Sequence, residues 1–321
     1  MALENCNPAG AREGSSSRRR AIAMMLGAVS WLPRALKGAD SNAPVRLAIS
    51  ESLVTDVNIN DARAAMLIWL QRMMTDLNVV IEINPKVFDT TQEIVRRARS
   101  GQLDAVALNV VEYRQAAEFL DSSQVIAEAG VSGLEQYILL AKRNGAIQHL
   151  GDLRGRRLMI LKTPKMCVAG PWLATILDQG RFGSSEQFFS AVTADSKVSR
   201  VVLPVFFGQT EACLTSKSGF ETMSELNPQV GKDLNVIASS PGMVVTFYTF
   251  HKNYHGLNRE KFAQVYTKVG TSDVAGRQLA TLFQFENLAV RDASCLAPAL
   301  AVLDMAERAR AKPAIPRRDK E

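Results

Sequence analysis

The sequence predicts an α/β protein of two lobes, one discontinuous in the chain and one continuous, joined by a two-segment hinge with a ligand cleft between them. Three observations predict this. Strand and helix patterns alternate from Val45 onward, the signature of a sheet covered by helices. Two apolar strand-like runs, 136–143 and 242–250, bracket a second alternation and read as crossings between lobes. The chain has 321 residues, long enough for two such bodies. The boundaries set by this reading are 43–137 plus 246–310 for the first lobe and 138–245 for the second. An export segment over 1–40 and a basic tail over 311–321 flank them.

Each element has a local reason. Residues 45–50 are β-branched and apolar, a buried strand. Over 61–77, Ala64, Ala65, Leu67, Ile68, Leu70 and Met73 repeat at helical spacing behind Asp61, a suitable N-cap. A strand follows at 79–83, a helix at 91–100 stopped by Gly101, and a strand at 104–108. Beyond the first crossing, strands are expected at 157–161, 188–192 and 211–214, and a helix at 168–179. The apolar segment 198–207 suits a helix apart from Pro204. After the second crossing, helical patterns return at 259–269, 273–281 and 297–310.

The first forty residues read as an address. Ser17-Arg18-Arg19-Arg20 precedes an apolar run to Leu32, a charged region ahead of a short apolar one. The paired arginines suit twin-arginine export, and Ala39 is the best cleavage position. About a dozen apolar residues are too few to span a bilayer core of roughly 30 Å. Much of the +6 net charge lies in this segment and in the basic tail, so it does not describe a nucleic-acid surface on the folded body. The chemistry-bearing motifs of common enzymes are missing: there is no G-x-S-x-G, Walker A or G-x-G-x-x-G sequence. The four cysteines form no C-x-x-C pair. A Cys213–Cys295 disulfide and buried free thiols both fit the spacing. His251 and His255 are four apart, but Gly256 argues against a helix that would aim them at one metal.

Three motifs in order resemble the phosphonate-binding family of periplasmic solute-binding proteins. Asp104-Ala105-Val106-Ala107-Leu108-Asn109-Val110-Val111-Glu112-Tyr113 looks like the family's strand from Asp to a helix-start Tyr, with Asn109-Val110 in place of Gly-Pro. Leu150-Gly151-Asp152-Leu153-Arg154-Gly155-Arg156-Arg157-Leu158 is similar to the segment that opens the second lobe. Glu225-Leu226-Asn227-Pro228-Gln229-Val230, leading to Ser239-Ser240-Pro241, is the most family-like of the three. The resemblance implies the two-lobed periplasmic-binding-protein fold and a periplasmic location. It implies a small oxyanion such as phosphate, phosphite or phosphonate, and delivery to the membrane permease of an ABC importer. It implies no catalysis and no cofactor. A sensory module signalling to a membrane receptor and an enzyme on the same scaffold are the alternatives. Phosphonate binders in the family carry a Ser-Thr-Ser-like run before the second lobe's helix. Here the matching Lys162-Thr163-Pro164-Lys165-Met166-Cys167 keeps a hydroxyl only at Thr163, so the resemblance carries the scaffold further than it carries the ligand.

An oxyanion needs hydroxyls, backbone N–H groups and sometimes a cation, and in α/β sheets ligands collect where strand ends meet helix starts. That rule selects Thr163 as a donor and Lys165 as a point charge. Tyr113, the family match, would offer its phenol from the first lobe. Ser50 closes the first strand. Asp195 either faces the cleft or caps the segment that follows it. Thr215 and Ser240 stand near strand ends at the second lobe and the returning crossing.

Overall fold

The computed structural model describes residues 44–311 apart from 55–56, 85, 131–132, 256, 268–273 and 284. The expected export segment and almost all of the basic tail lie outside the described residues. The chain runs β1 (Val45–Ile49), α1 (Ile59–Leu77), β2 (Ile81–Glu82), α2 (Thr91–Arg99), β3 (Ala105–Asn109), α3 (Val110–Ala116) and β4 (Gln124–Glu128). It then enters a second alternation: β5 (Tyr137–Lys142), β6 (Arg157–Leu161), α4 (Ala169–Gln179), α5 (Ser185–Phe188), β7 (Ala191–Asp195), α6 (Val198–Phe206), β8 (Ala212–Ser216), α7 (Lys217–Leu226), α8 (Pro228–Asp233) and β9 (Leu234–Ser239). It returns through β10 (Thr246–Phe250), α9 (Leu257–Tyr266), α10 (Val274–Phe283), β11 (Leu288–Asp292) and α11 (Ala297–Ala311).

These strands form two sheets, ordered β11-β4-β10-β3-β1-β2 and β7-β6-β8-β5-β9. In the first, β2, β1 and β3 are parallel while β10 returns antiparallel to β3. Its two faces feed different cores because side chains alternate along a strand. Val45, Leu47, Ile49, Ala105 and Ala107 face Met66, Trp69 and Met73 of α1 and Phe262 of α9. Ala48, Val106 and Leu108 face Ile94 of α2 and Tyr113 of α3, in a cluster that continues into the second sheet. There β7, β6 and β8 are parallel, and β5 runs antiparallel between β8 and β9.

The chain passes between the sheets twice, after β4 and after β9. The two passages pair with each other: Glu135 and Met243 exchange backbone hydrogen bonds of 2.8 and 2.9 Å. Ser240 adds a third tie, its N–H donating to Tyr137 O at 2.8 Å. A two-stranded hinge therefore joins two α/β lobes.

Several expectations shift. The cap of α1 is Asn58, whose side chain accepts from the N–H groups of Asn60 and Asp61, because Ile59 and Asn60 also join the helix. The aromatic run at 188–192 is not a strand at its start. Phe188 ends the short α5 and packs edge-on against Phe189, 4.9 Å between ring centroids, and the strand begins at Ala191. Pro204 sits inside α6 without ending it. Strands β4, β9 and β11 carry no clear pattern of their own; β4 and β11 exist through full-length antiparallel pairing. The last helix, assigned above to the first lobe, packs chiefly on α4, with Thr175 Oγ1, which donates to Pro171 O at 3.0 Å, standing 3.5 Å from Val302 O. Cys167, Cys213 and Cys295 are all free thiols.

Candidate functional site

The carboxyl ends of β1 and β3 in one lobe face the segment after β6 in the other. The turn Glu51–Val54 touches the turn Pro164–Met166, so the strand-end edges of both sheets meet there.

On the first lobe, four donors converge on one carboxylate. Ser50 Oγ and Thr91 Oγ1 donate to Glu112 Oε1 at 2.6 and 2.8 Å. Ser52 Oγ and the Asn109 N–H donate to Glu112 Oε2, both at 3.1 Å. The chain brings them there by specific devices. Ser50 is fixed by its N–H to Ala107 O and by a parallel bridge to Asp89. Arg97 pairs with the buried Asp89 at 3.0 Å and donates to Leu47 O, which holds the start of α2, and so Thr91, against the end of β1. Asn109 caps α3: its Oδ1 accepts from the N–H groups of Val111 and Glu112 while Glu112 returns a bond to the Asn109 N–H. That reciprocal box fixes the carboxylate at the mouth of the helix, where it is 4 % exposed.

On the second lobe, Thr163 starts the turn that leads to α4. It is half-buried and its hydroxyl makes no capping bond. Cys167 follows, with Sγ 3.9 Å from Val245 O. Burial, with the Glu112 charge as the next contribution, pushes its thiol up to about 12. Cys167 is thus a neutral thiol and not an activated nucleophile. Lys162, at the end of β6, is exposed.

The other expected residues have different work. Lys165 Nζ lies 3.1 Å from Glu128 Oε2 and 3.3 Å from Glu135 Oε1. It ties the second lobe to the first passage between lobes instead of offering a charge to a ligand. Its own carbonyl accepts from Tyr137 OH at 2.7 Å. Tyr113 turns into the core, its ring edge-on to Phe247 at 5.3 Å. Burial, then the Asp121 charge, raises its phenol, and Asp121 stands beside Phe250 at the end of β10 remote from the cleft. Asp195 accepts from the Lys197 N–H and faces Arg200 at 3.7 Å; it closes the turn into α6 without capping the helix, whose N-cap is Lys197. Thr215 is wholly buried with an unpartnered hydroxyl. Ser240 Oγ accepts from the Tyr137 N–H and donates to Pro241 O, a hinge role. His251 bonds Ala98 O through Nε2 at 3.1 Å, and among the described residues no cluster suits a metal.

Of the expected set, then, Ser50 and Thr163 stand at the cleft. Ser52, Thr91, Asn109 and Glu112 were missed. The only sequence signal for them was the Asn109-x-x-Glu112 capping spacing. A cavity of about 980 Å³ lies elsewhere, between α4, α5 and α11, lined by Leu173, Asp178, Glu186 and Arg310 among others. The strand-end cleft is the better candidate, because there polar donors from separate elements converge.

The model of the family described as "ABC transporter, phosphonate, periplasmic substrate-binding protein" matches residues 54–294. The chain belongs to this family. No curated protein sequence matches it. Among solved structures, a binding protein component of an ABC phosphonate transporter from Pseudomonas aeruginosa is similar, at 14% identity and TM-score 0.54, covering 84% of this chain and 88% of that one. PhnD1 from Prochlorococcus marinus in complex with methylphosphonate gives 13% and 0.54, with 84% and 98% covered. A Xanthomonas citri protein bound to ATP gives 13% and 0.57, with 84% and 98% covered. At such identities the likeness carries the fold, and the family's two-lobed architecture is the one described above. Among the described residues no helix is long and apolar enough to cross a membrane.

Proposed function

We propose that this chain is the exported, ligand-capturing component of an ABC importer, holding a small oxyanion of the phosphonate or phosphate class between the lobe of the first sheet and the lobe of the second, on which α11 packs. One observation carries the ligand class: three hydroxyls and a backbone N–H from three segments converge on a pair of carboxylate oxygens at the strand-end edge of the first sheet. Donors in that arrangement are chemistry for an anion. The Thr163 hydroxyl and the exposed Lys162 supply the second lobe's side. Closure of the hinge would trap the ligand and present a closed surface to a membrane permease. Family membership favours transport over a sensory role, and the neutral Cys167 gives no support to catalysis.

The test is calorimetric titration of residues 40–321 with methylphosphonate, phosphite, phosphate and sulfate, alongside cationic and neutral solutes. Binding of at least one phosphorus oxyanion is expected, and Thr163→Val should weaken it about tenfold, the effect of one lost hydrogen bond to a charged group. A protein that answers only to cationic or neutral solutes is not an oxyanion binder.

A further inference from the structure

We propose that the Glu112 carboxylate is a resident stand-in for the ligand's oxyanion, and that ligand uptake competes with it for the hydroxyls of Ser50, Ser52 and Thr91. The inference rests on the oxyanion reading above and deepens it. An ionised carboxylate offers about four acceptor sites. Glu112 uses them on Ser50 and Thr91 at Oε1 and on Ser52 and the Asn109 N–H at Oε2. No capacity remains to receive a ligand's donors, and the donors around it have no second anion to serve.

The charge is also unbalanced. Among the described residues, no lysine or arginine pairs with Glu112. The basic residues nearest in function are committed, Arg97 to Asp89 and Lys165 to Glu128 and Glu135. The carboxylate is 4 % exposed, so water screens it poorly. Its donor Ser52 stands in the turn Glu51–Val54, which touches the turn Pro164–Met166 of the facing lobe, and this places the carboxylate at the meeting of the two halves.

Two anions cannot share this seat. Unit charges about 4 Å apart in a medium of effective dielectric about 20 repel enough to cost roughly a thousandfold in affinity. A ligand oxyanion must therefore swing Glu112 out of the hydroxyl cluster or bind short of it. Glu112 lowers affinity and, by filling the seat, keeps the empty site satisfied.

The experiment compares wild type, Glu112→Ala and Glu112→Gln, each as residues 40–321, by calorimetric titration with methylphosphonate and with inorganic phosphate at fixed ionic strength. Glu112→Ala is expected to bind at least one of these anions ten- to a thousandfold more tightly than wild type. Glu112→Gln, which keeps an acceptor but removes the charge, should gain about tenfold. Because Glu112→Ala leaves three hydroxyls without an acceptor, its melting temperature should fall, and phosphate should restore it more than it raises wild type. If Glu112→Ala does not fold, Glu112→Gln decides alone. Equal affinities in all folded proteins overturn the stand-in role and leave the oxyanion reading standing. Weaker binding by both variants overturns it too, and makes Glu112 a direct ligand group. No binding of any oxyanion by any of the three removes both readings together.

Discussion

Lys165 shares its ammonium between Glu128 and Glu135, and removing it would leave two carboxylates facing each other in a largely buried site. Lys165→Met is expected to lower unfolding free energy by about 3 kcal/mol in a urea titration, and Lys165→Met with Glu135→Gln to recover part of that loss. The same residues set a pH dependence. Burial raises Glu135 above the usual carboxylate range, the Lys165 attraction only partly opposing it. A raised folded-state value means the fold prefers the protonated acid. Its contribution is present below the ordinary glutamate value and is lost as pH rises through the raised one. Glu135→Gln should flatten that part of the stability curve, and an unchanged curve would count against the assignment. A lysine after a strand looked like a ligand charge by its position alone. What redirects it is a carboxylate 37 residues earlier in sequence, a contact that no local pattern encodes.

At the scale of elements, the passage between β4 and β5 is built tightly. A Cβ at Gly133 would stand 2.5 Å from the backbone oxygen of Glu128, closer than any relaxed contact. Gly133→Ala must therefore shift the backbone next to the Lys165 cluster, and a loss of about 1–3 kcal/mol is expected in the same titration. A variant as stable as wild type would mean that the passage yields freely. Helices such as α1 and α2 were legible because their apolar spacing and caps are local. Even there the cap of α1 moved from Asp61 to Asn58, since Asn and Asp serve equally well at that position. Strands β4 and β11 were not legible: Gln124–Glu128 and Leu288–Asp292 become strands by pairing with each other across more than a hundred and fifty residues.

For the whole molecule, the larger apolar cluster runs from one face of the first sheet through the second sheet to α11, and α11 bridges back onto α4. The lobes are thus expected to unfold together. Trp69 lies in the core behind the first sheet and Trp172 in the cluster of the second. Trp69→Phe and Trp172→Phe, followed by fluorescence, should report coincident midpoints. Separate midpoints would show lobes that melt independently. The sequence by itself determined the α/β class and the two alternations, because periodicity and breakers are properties of neighbouring residues; the runs read as crossings instead hold β5 and β10, each a strand within one sheet, and the passages between sheets come just before them. It also placed Ser50 and Thr163 at strand ends. Tertiary structure alone decided that Tyr113 turns into the core, that Lys165 is spent on the hinge, and that Ser50, Ser52, Thr91 and Asn109 close around Glu112. Those outcomes depend on which elements meet, and a carboxylate's partners are fixed by distance in space and not by spacing along the chain.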